Sequence, residues 1–316
     1  MPGLFHDQPQ LSLGALASSI VTHFSITLPM RFSPTLLALI AIALWSCLAL
    51  LSTLLAHVPL FLLTGIALLV GSVPAWPFFR QWKVSWSALV LGVYGLFGFH
   101  FFLFIALRHA PAVEANLVNY LWPLGIVLMA PLFLPGIKLT ATHLVAACAG
   151  FFGAAIAILG DTLFTSGLQG LANKGFAWGY IPAAASAFIW ASYSLMGKRM
   201  SEQGRGFPTA AIGLFGLVSG ALSLLCHALL EAPVTLNGRD WLLMVLMGLG
   251  PLGAAFFLWD AALKKGDARK IGILSYITPL ASTVLLMFAT GRPLTWGIGL
   301  ATVLILGAAV LGSRAT

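Results

Sequence analysis

Two polar clusters interrupt an otherwise apolar chain. Asn119-Tyr120-Leu121-Trp122-Pro123 and Ser275-Tyr276-Ile277-Thr278-Pro279 each set a hydrogen-bonding pair just ahead of a proline. Asn116, Asn119, Tyr120 and Pro123 fall at i, i+3, i+4 and i+7, which is one face of a helix, and Gly272, Ser275, Tyr276, Pro279 and Thr283 continue the same spacing. Each proline removes a backbone N–H and frees a carbonyl upstream. Such carbonyls can hold a substrate ammonium, and the N-termini of half-helices can hold a carboxylate. Pro123 and Pro279 are therefore expected near kinked, moving segments. Plain helix packing, with Asn and Tyr bonding between helices, is the alternative use of the same residues.

The aromatic and ionisable residues divide by position. Trp76, Trp82, Trp86, Trp178, Trp241 and Trp296 sit where apolar runs end, as amphipathic rings do at a headgroup zone. Trp45, Trp122 and Trp190 sit inside apolar runs, and each needs a partner for its indole N–H. They are expected to form either an aromatic wall that stacks on a flat side chain or ordinary core. Tyr193 follows Trp190 by three positions and Ser186 precedes it by four, extending one polar-aromatic face. His100 is the most deeply placed ionisable group; it lines a cavity, where it could carry protons, or it is a hydrogen-bonded core residue. Glu114 and Asp260 fall near the ends of apolar runs, where solvation or ion pairing is expected.

These residues must be positioned by membrane-spanning helices. Hydrophobic residues make up 60 % of the 316, charged residues 8 %, and mean hydropathy is +1.00. A water-soluble domain carries about a quarter charged residues. Ten apolar runs, at 34–53, 56–75, 86–107, 111–131, 140–160, 176–198, 207–229, 241–263, 268–290 and 294–313, approach the length of about 20 residues that crosses the hydrocarbon. No alternation of period two signals a barrel, so the expected fold is all-α and integral to the membrane. The short connections leave no room for a catalytic extramembrane domain.

The halves repeat. Phe101–Pro123 aligns without a gap to Phe257–Pro279, 156 positions on. Five spans per half force the second copy to enter the membrane the opposite way up, and paired, interrupted helices of this kind mark secondary transporters. The expected segments are a cytoplasmic lead-in at 1–33, a first repeat at 34–160, an extracytoplasmic linker at 161–175 and a second repeat at 176–313. The lead-in lacks the basic start and clean apolar core of a cleaved signal; a loose segment or a surface helix near 11–28 is expected there. With both termini cytoplasmic, 12 of the 16 Lys and Arg fall on the inner side, so orientation accounts for the +8 charge without nucleic acid. Cys47, Cys148 and Cys226 lie singly in apolar runs and point to neither a disulfide nor a metal site. No HExxH or GxSxG motif and no paired carboxylates argue for an enzyme.

Ala43-Leu44-Trp45-Ser46 opens the first half and Phe188-Ile189-Trp190-Ala191 the second, and Lys198-Arg199 ends the sixth run. Together with ten spans in two copies, these motifs resemble the EamA type of the drug/metabolite transporter superfamily, and Asn119-Tyr120-Leu121-Trp122-Pro123 resembles its bacterial aromatic amino-acid exporter branch. The resemblance covers residues 34–313. It implies a ten-helix basket around a central cavity and export of aromatic and other neutral amino acids across the bacterial inner membrane. Asn119, Tyr120 and Ser275 are then expected to hold the zwitterionic end, where neutral groups avoid the cost of a fixed buried charge. Trp122, Trp190 and His100 would form the aromatic wall for the side chain, and Trp45, Tyr193 and Tyr276 are further residues expected around the substrate. Alternating access by rocking of the halves is expected, eased by Gly92, Gly95 and Gly98. The expected partners are amino acids and the lipid bilayer, with no cofactor, no metal and no obligatory second chain. A translocator of sugar-nucleotides, lipid-linked or drug-like substrates is the alternative on the same fold; phosphate would call for mid-span Lys or Arg, and mid-span runs hold none.

Overall fold

The computed structural model describes residues 32–172, 176–291 and 295–315. The expected lead-in helix near 11–28 and the last residues of the 161–175 linker lie outside them. The described chain is all-α. Its long helices are α1 (Pro34–Leu54), α2 (Leu60–Trp82), α3 (Trp86–His109), α4 (Ala112–Phe133), α5 (Ala141–Ala172), α6 (Tyr180–Glu202), α7 (Ala211–Leu230), α8 (Gly238–Lys265), α9 (Ala268–Thr290) and α10 (Trp296–Arg314). Nine of these are apolar and long enough to cross a membrane among the described residues, α5 through its first 20 residues. The other, α6, spans 23 residues. Its Ser, Tyr, Pro and Gly positions lower its hydropathy, and much of this helix is buried among its neighbours, with Ile181 and Phe188 exposed.

Two boundaries differ from those expected. α5 runs on to Ala172 rather than ending at 160, since residues 161–172 hold one acidic residue and no proline to stop it. α6 starts four residues late, behind a turn at Trp178–Gly179, and continues through Lys198-Arg199-Met200, all good helix formers.

The helices form two inverted five-helix repeats, α1–α5 and α6–α10, around a central cavity. Their largest interfaces cross between the repeats: α2 lies along α7, α5 along α10, α1 along α8 and α3 along α6. Small residues permit this. A Cβ added at Gly220 of α7 would meet the Gly65 carbonyl of α2 at 2.9 Å. Gly92 faces the Phe215 ring and Gly95 the Tyr193 ring with no room for a Cβ, whereas Gly98 has 3.7 Å of clearance.

Irregularities recur at the repeat spacing. α3 holds a π-turn at Tyr94–Gly98, and α8 holds one at Gly250–Ala254, 156 residues on. α4 breaks after Asn119 and resumes at Trp122; α9 breaks after Leu274 and resumes at Ile277. Pro123 and Pro279 fall in the first turn of each resumed half-helix, where a missing N–H costs no intrahelical bond. Five of the six expected interfacial tryptophans are exposed at helix ends. Trp82 is the exception, tucked in with its indole N–H donating to the Ala210 carbonyl at 2.9 Å.

Candidate functional site

Seven helices enclose a cavity of about 410 Å³. Ser52 of α1, Leu60 of α2, Leu107 of α3 and Ala112 of α4 stand in its wall. All are helix ends on the face away from Pro34 and Arg314, so the cavity opens to that face and is closed toward the chain ends. On the open face, Glu231 ties three helices together. Its carboxylate accepts from the Phe61 and Leu62 amides at the start of α2 and from Arg108 of α3 at 2.8 Å. An anion suits the exposed N–H groups of a helix start.

Four indoles form the floor. Trp45 lies 6.3 Å from Trp122, 5.7 Å from Trp190 and 5.1 Å from Trp259, between ring centroids. Trp122 stands edge-on to Trp259 at 5.5 Å, and Phe256 and Phe99 flank Trp190 at 5.6 and 5.4 Å. Edge-to-face contacts of this kind are favoured by the ring quadrupole. Trp45, Trp122 and Trp190 line the cavity, while Trp259 closes the floor from below and is 1 % exposed.

The π-turns supply anchors for these rings. A π-turn takes a residue out of the regular ladder and offers carbonyls to side chains. In α3 the Leu96 carbonyl accepts from His100 Nδ1 at 2.6 Å; in α8 the Pro251 carbonyl accepts from Trp45 Nε1 at 3.1 Å. A carbonyl only accepts, so the His100 proton sits on Nδ1 and its Nε2 is left as an acceptor in the neutral ring. Asn119 Oδ1 accepts from Ser186 Oγ at 2.7 Å, joining the break in α4 to α6. That bond leaves the two N–H groups of the Asn119 amide. The packing and cavity-lining uses of Asn119 thus coexist.

Of the nine residues expected around a substrate, Trp45, His100, Asn119, Tyr120, Trp122 and Trp190 meet in this cavity. Tyr193, Ser275 and Tyr276 do not. The Tyr193 ring packs on Trp190 at 5.4 Å, Ser275 Oγ donates to the Gly272 carbonyl at 2.6 Å, and Tyr276 is enclosed in the core with Ala154, Leu280 and Ile305. The repeat gives the reason. The 156-residue shift carries the lining residues Asn119 and Tyr120 onto Ser275 and Tyr276, and matching Trp45 to Trp190 carries the lining residue Leu48 onto Tyr193. Inverted mates near the middle of the spans can share the cavity, but those displaced from it lie toward opposite faces, and only one face is open. Among the lining residues that sequence reasoning missed, Phe256 and Thr278 were available by the same shift from His100 and Trp122.

The closed face is held by polar bonds. Lys198 of α6 donates to the Leu263 and Gly266 carbonyls at 3.1 and 2.9 Å, and Lys264 pairs with Asp260 at 2.6 Å. Arg269 donates to the Lys138 carbonyl of the other repeat and pairs with Asp267. Burial works against the Asp267 charge, yet the hydrogen bonds and charge of Arg269 prevail and hold its carboxyl below the usual carboxylate range.

Residues 32–159 and 177–314 each match the EamA-like transporter family, one copy per repeat. The chain is 41 % identical over 290 residues to the aromatic amino acid exporter YddG of Ancylobacter novellus, covering 90 % of this chain and 98 % of that one. It is 26 % identical to the aromatic amino acid exporter YddG of Escherichia coli over 67 % of this chain and 70 % of that one. A solved crystal structure superposes with a TM-score of 0.78 and 38 % identity, covering 89 % of this chain and 97 % of the other. The chain is a multi-pass membrane protein that belongs to the EamA-like transporter family, in the branch that includes these two exporters.

Proposed function

We propose that this protein is a secondary transporter that exports aromatic and other neutral amino acids across a bacterial inner membrane by alternating access, with both termini in the cytoplasm. Its cavity then faces outward here. The observation that carries the reading is the lining itself: three indoles and His100, Asn116, Asn119 and Tyr120, with no Lys, Arg, Asp or Glu among the described lining residues. The volume fits one amino acid with some water. Trp45, Trp122 and Trp190 offer faces for a flat side chain, and His100 Nε2 with the Asn119 amide offers an acceptor and donors for the zwitterionic end. The names of the two exporter relatives support the same class of substrate. A sugar-nucleotide or lipid-linked phosphate would meet no cation in this wall, which disfavours the alternative.

Pro123 and Pro279, at the start of resumed half-helices, are where α4 and α9 change direction as the halves rock. Cells overexpressing the protein are expected to resist toxic phenylalanine or tryptophan analogues. An unaltered growth curve with the protein present in the membrane would favour a different substrate class.

A further inference from the structure

The repeat that explains the off-cavity residues also identifies the other half of the transport path. Shifted by 156, the lining residues Leu103, Phe104 and Leu107 of α3 become Trp259, Asp260 and Leu263 of α8. All three mates are buried on the closed side. Opening that side by the inverse of the present arrangement would expose them as their partners are exposed now.

The exchange is not chemically symmetric, because a phenylalanine is replaced by a carboxylate. Asp260 is 7 % exposed and accepts from Lys264 Nζ and from Thr209 Oγ1, each at 2.6 Å. Its neighbour Trp259 is the lower ring of the indole floor, held by Ser194 Oγ at 3.1 Å. The charge is thus carried by the residue next to a floor indole on α8. An ion pair inside a membrane span is costly to keep and calls for a use. Lys264 has other acceptors within reach, the Phe207 carbonyl at 2.7 Å and the Phe207 ring at 4.3 Å, so it stays partnered if Asp260 turns to a ligand.

We infer that Asp260 receives the ammonium of an amino-acid substrate once the cavity opens toward the chain ends, with Ser275 as a neighbouring hydroxyl. The inference rests on the proposed amino-acid transport. The two states then differ in what they bind. The state open to the chain ends selects a free ammonium by charge, and the state seen here, with no fixed charge in its wall, holds the same molecule less tightly and releases it.

The test uses membrane vesicles whose outer surface is the face of the chain ends, verified by cleavage of a C-terminal tag. Uptake of labelled phenylalanine is competed with phenylalanine and with 3-phenylpropanoate, which lacks the ammonium. Wild type is expected to prefer phenylalanine at least about tenfold, as a charge-assisted hydrogen bond allows. Asp260→Asn should raise KM and bring the two competitors within about threefold, and Asp260→Glu should restore the preference. If Asp260→Asn is poorly folded because Lys264 loses its counter-charge, the double variant Asp260→Asn/Lys264→Met removes both charges and carries the same expectation. A variant that transports with wild-type KM and preference overturns the inference and leaves amino-acid transport standing. Absence of phenylalanine uptake by the wild type overturns the transport reading and this inference with it.

Discussion

Gly71→Val is expected to lower Tm by roughly 6 °C or more and to cut the yield of folded protein, because at this position two backbones meet. A Cβ added at Gly71 of α2 would lie 2.7 Å from the Gly248 carbonyl and 2.8 Å from both Gly253 Cα and the Leu252 carbonyl of α8. None of these is the end of a flexible side chain. The clash cannot be relieved by a rotamer change, so the helices must part. Overpacking of this kind costs about 3 kcal/mol or more, and the small residues that let helices approach are what hold them together in lipid. The irregular stretch of α8 at Gly250–Ala254 sits at this contact and holds Pro251, whose carbonyl anchors Trp45. Loss of the approach should therefore reach the cavity floor. Thermal unfolding in detergent, followed by size-exclusion fluorescence, is the measurement. A Tm within one degree of wild type would mean that α2 and α8 do not pack as described.

Trp190→Ala is expected to reduce phenylalanine transport far more than alanine transport. Trp190 is the indole that touches the most rings of the site: Trp45, Phe99, Tyr193 and Phe256 all lie within 5.4 to 5.7 Å. It is also the one lining residue contributed by α6. Loss of a stacking ring removes about 1 kcal/mol beyond the lost contact area, a factor of roughly five for a flat side chain, and alanine has no ring to lose. Trp190→Phe should recover most of the difference, since a smaller ring still closes the gap between Trp45 and Phe256. Equal losses for both substrates at equal protein level would show that Trp190 only supports the floor.

Much of the fold was legible because lipid is a strict solvent. Backbone groups in hydrocarbon must be satisfied within the helix, so the lengths of apolar runs give the spans, and an odd number per copy gives the inversion. The breaks at Asn119 and Ser275 were legible from the polar pairs that precede each proline. The π-turns were not, since a bulge comes from packing between helices and has no composition of its own. Trp259 shows the same limit. Its place near the end of an apolar run gives no sign that it seals the floor, and only its inverted mate Leu103 points there.

The division of the nine candidate residues into six that meet and three that do not has a different origin. Under the proposed alternating access, one sequence encodes both faces of the path, whereas one conformation opens a single face. Residue types and spacing therefore picked out members of both sets together. The asymmetry between the repeats, with His100 and Asn119 in one and Phe256 and Ser275 at the matching positions of the other, is chemical.

The proposed cargo of this cavity is a neutral amino acid, aromatic ones foremost. The most direct measurement is uptake by purified protein in liposomes, with labelled phenylalanine, tryptophan, alanine, a sugar-nucleotide and a quaternary ammonium compound offered separately. Saturable uptake of phenylalanine and tryptophan is expected, with slower uptake of alanine and none of the charged compounds above protein-free liposomes. Transport of the sugar-nucleotide or the cation, with phenylalanine at background, would contradict it.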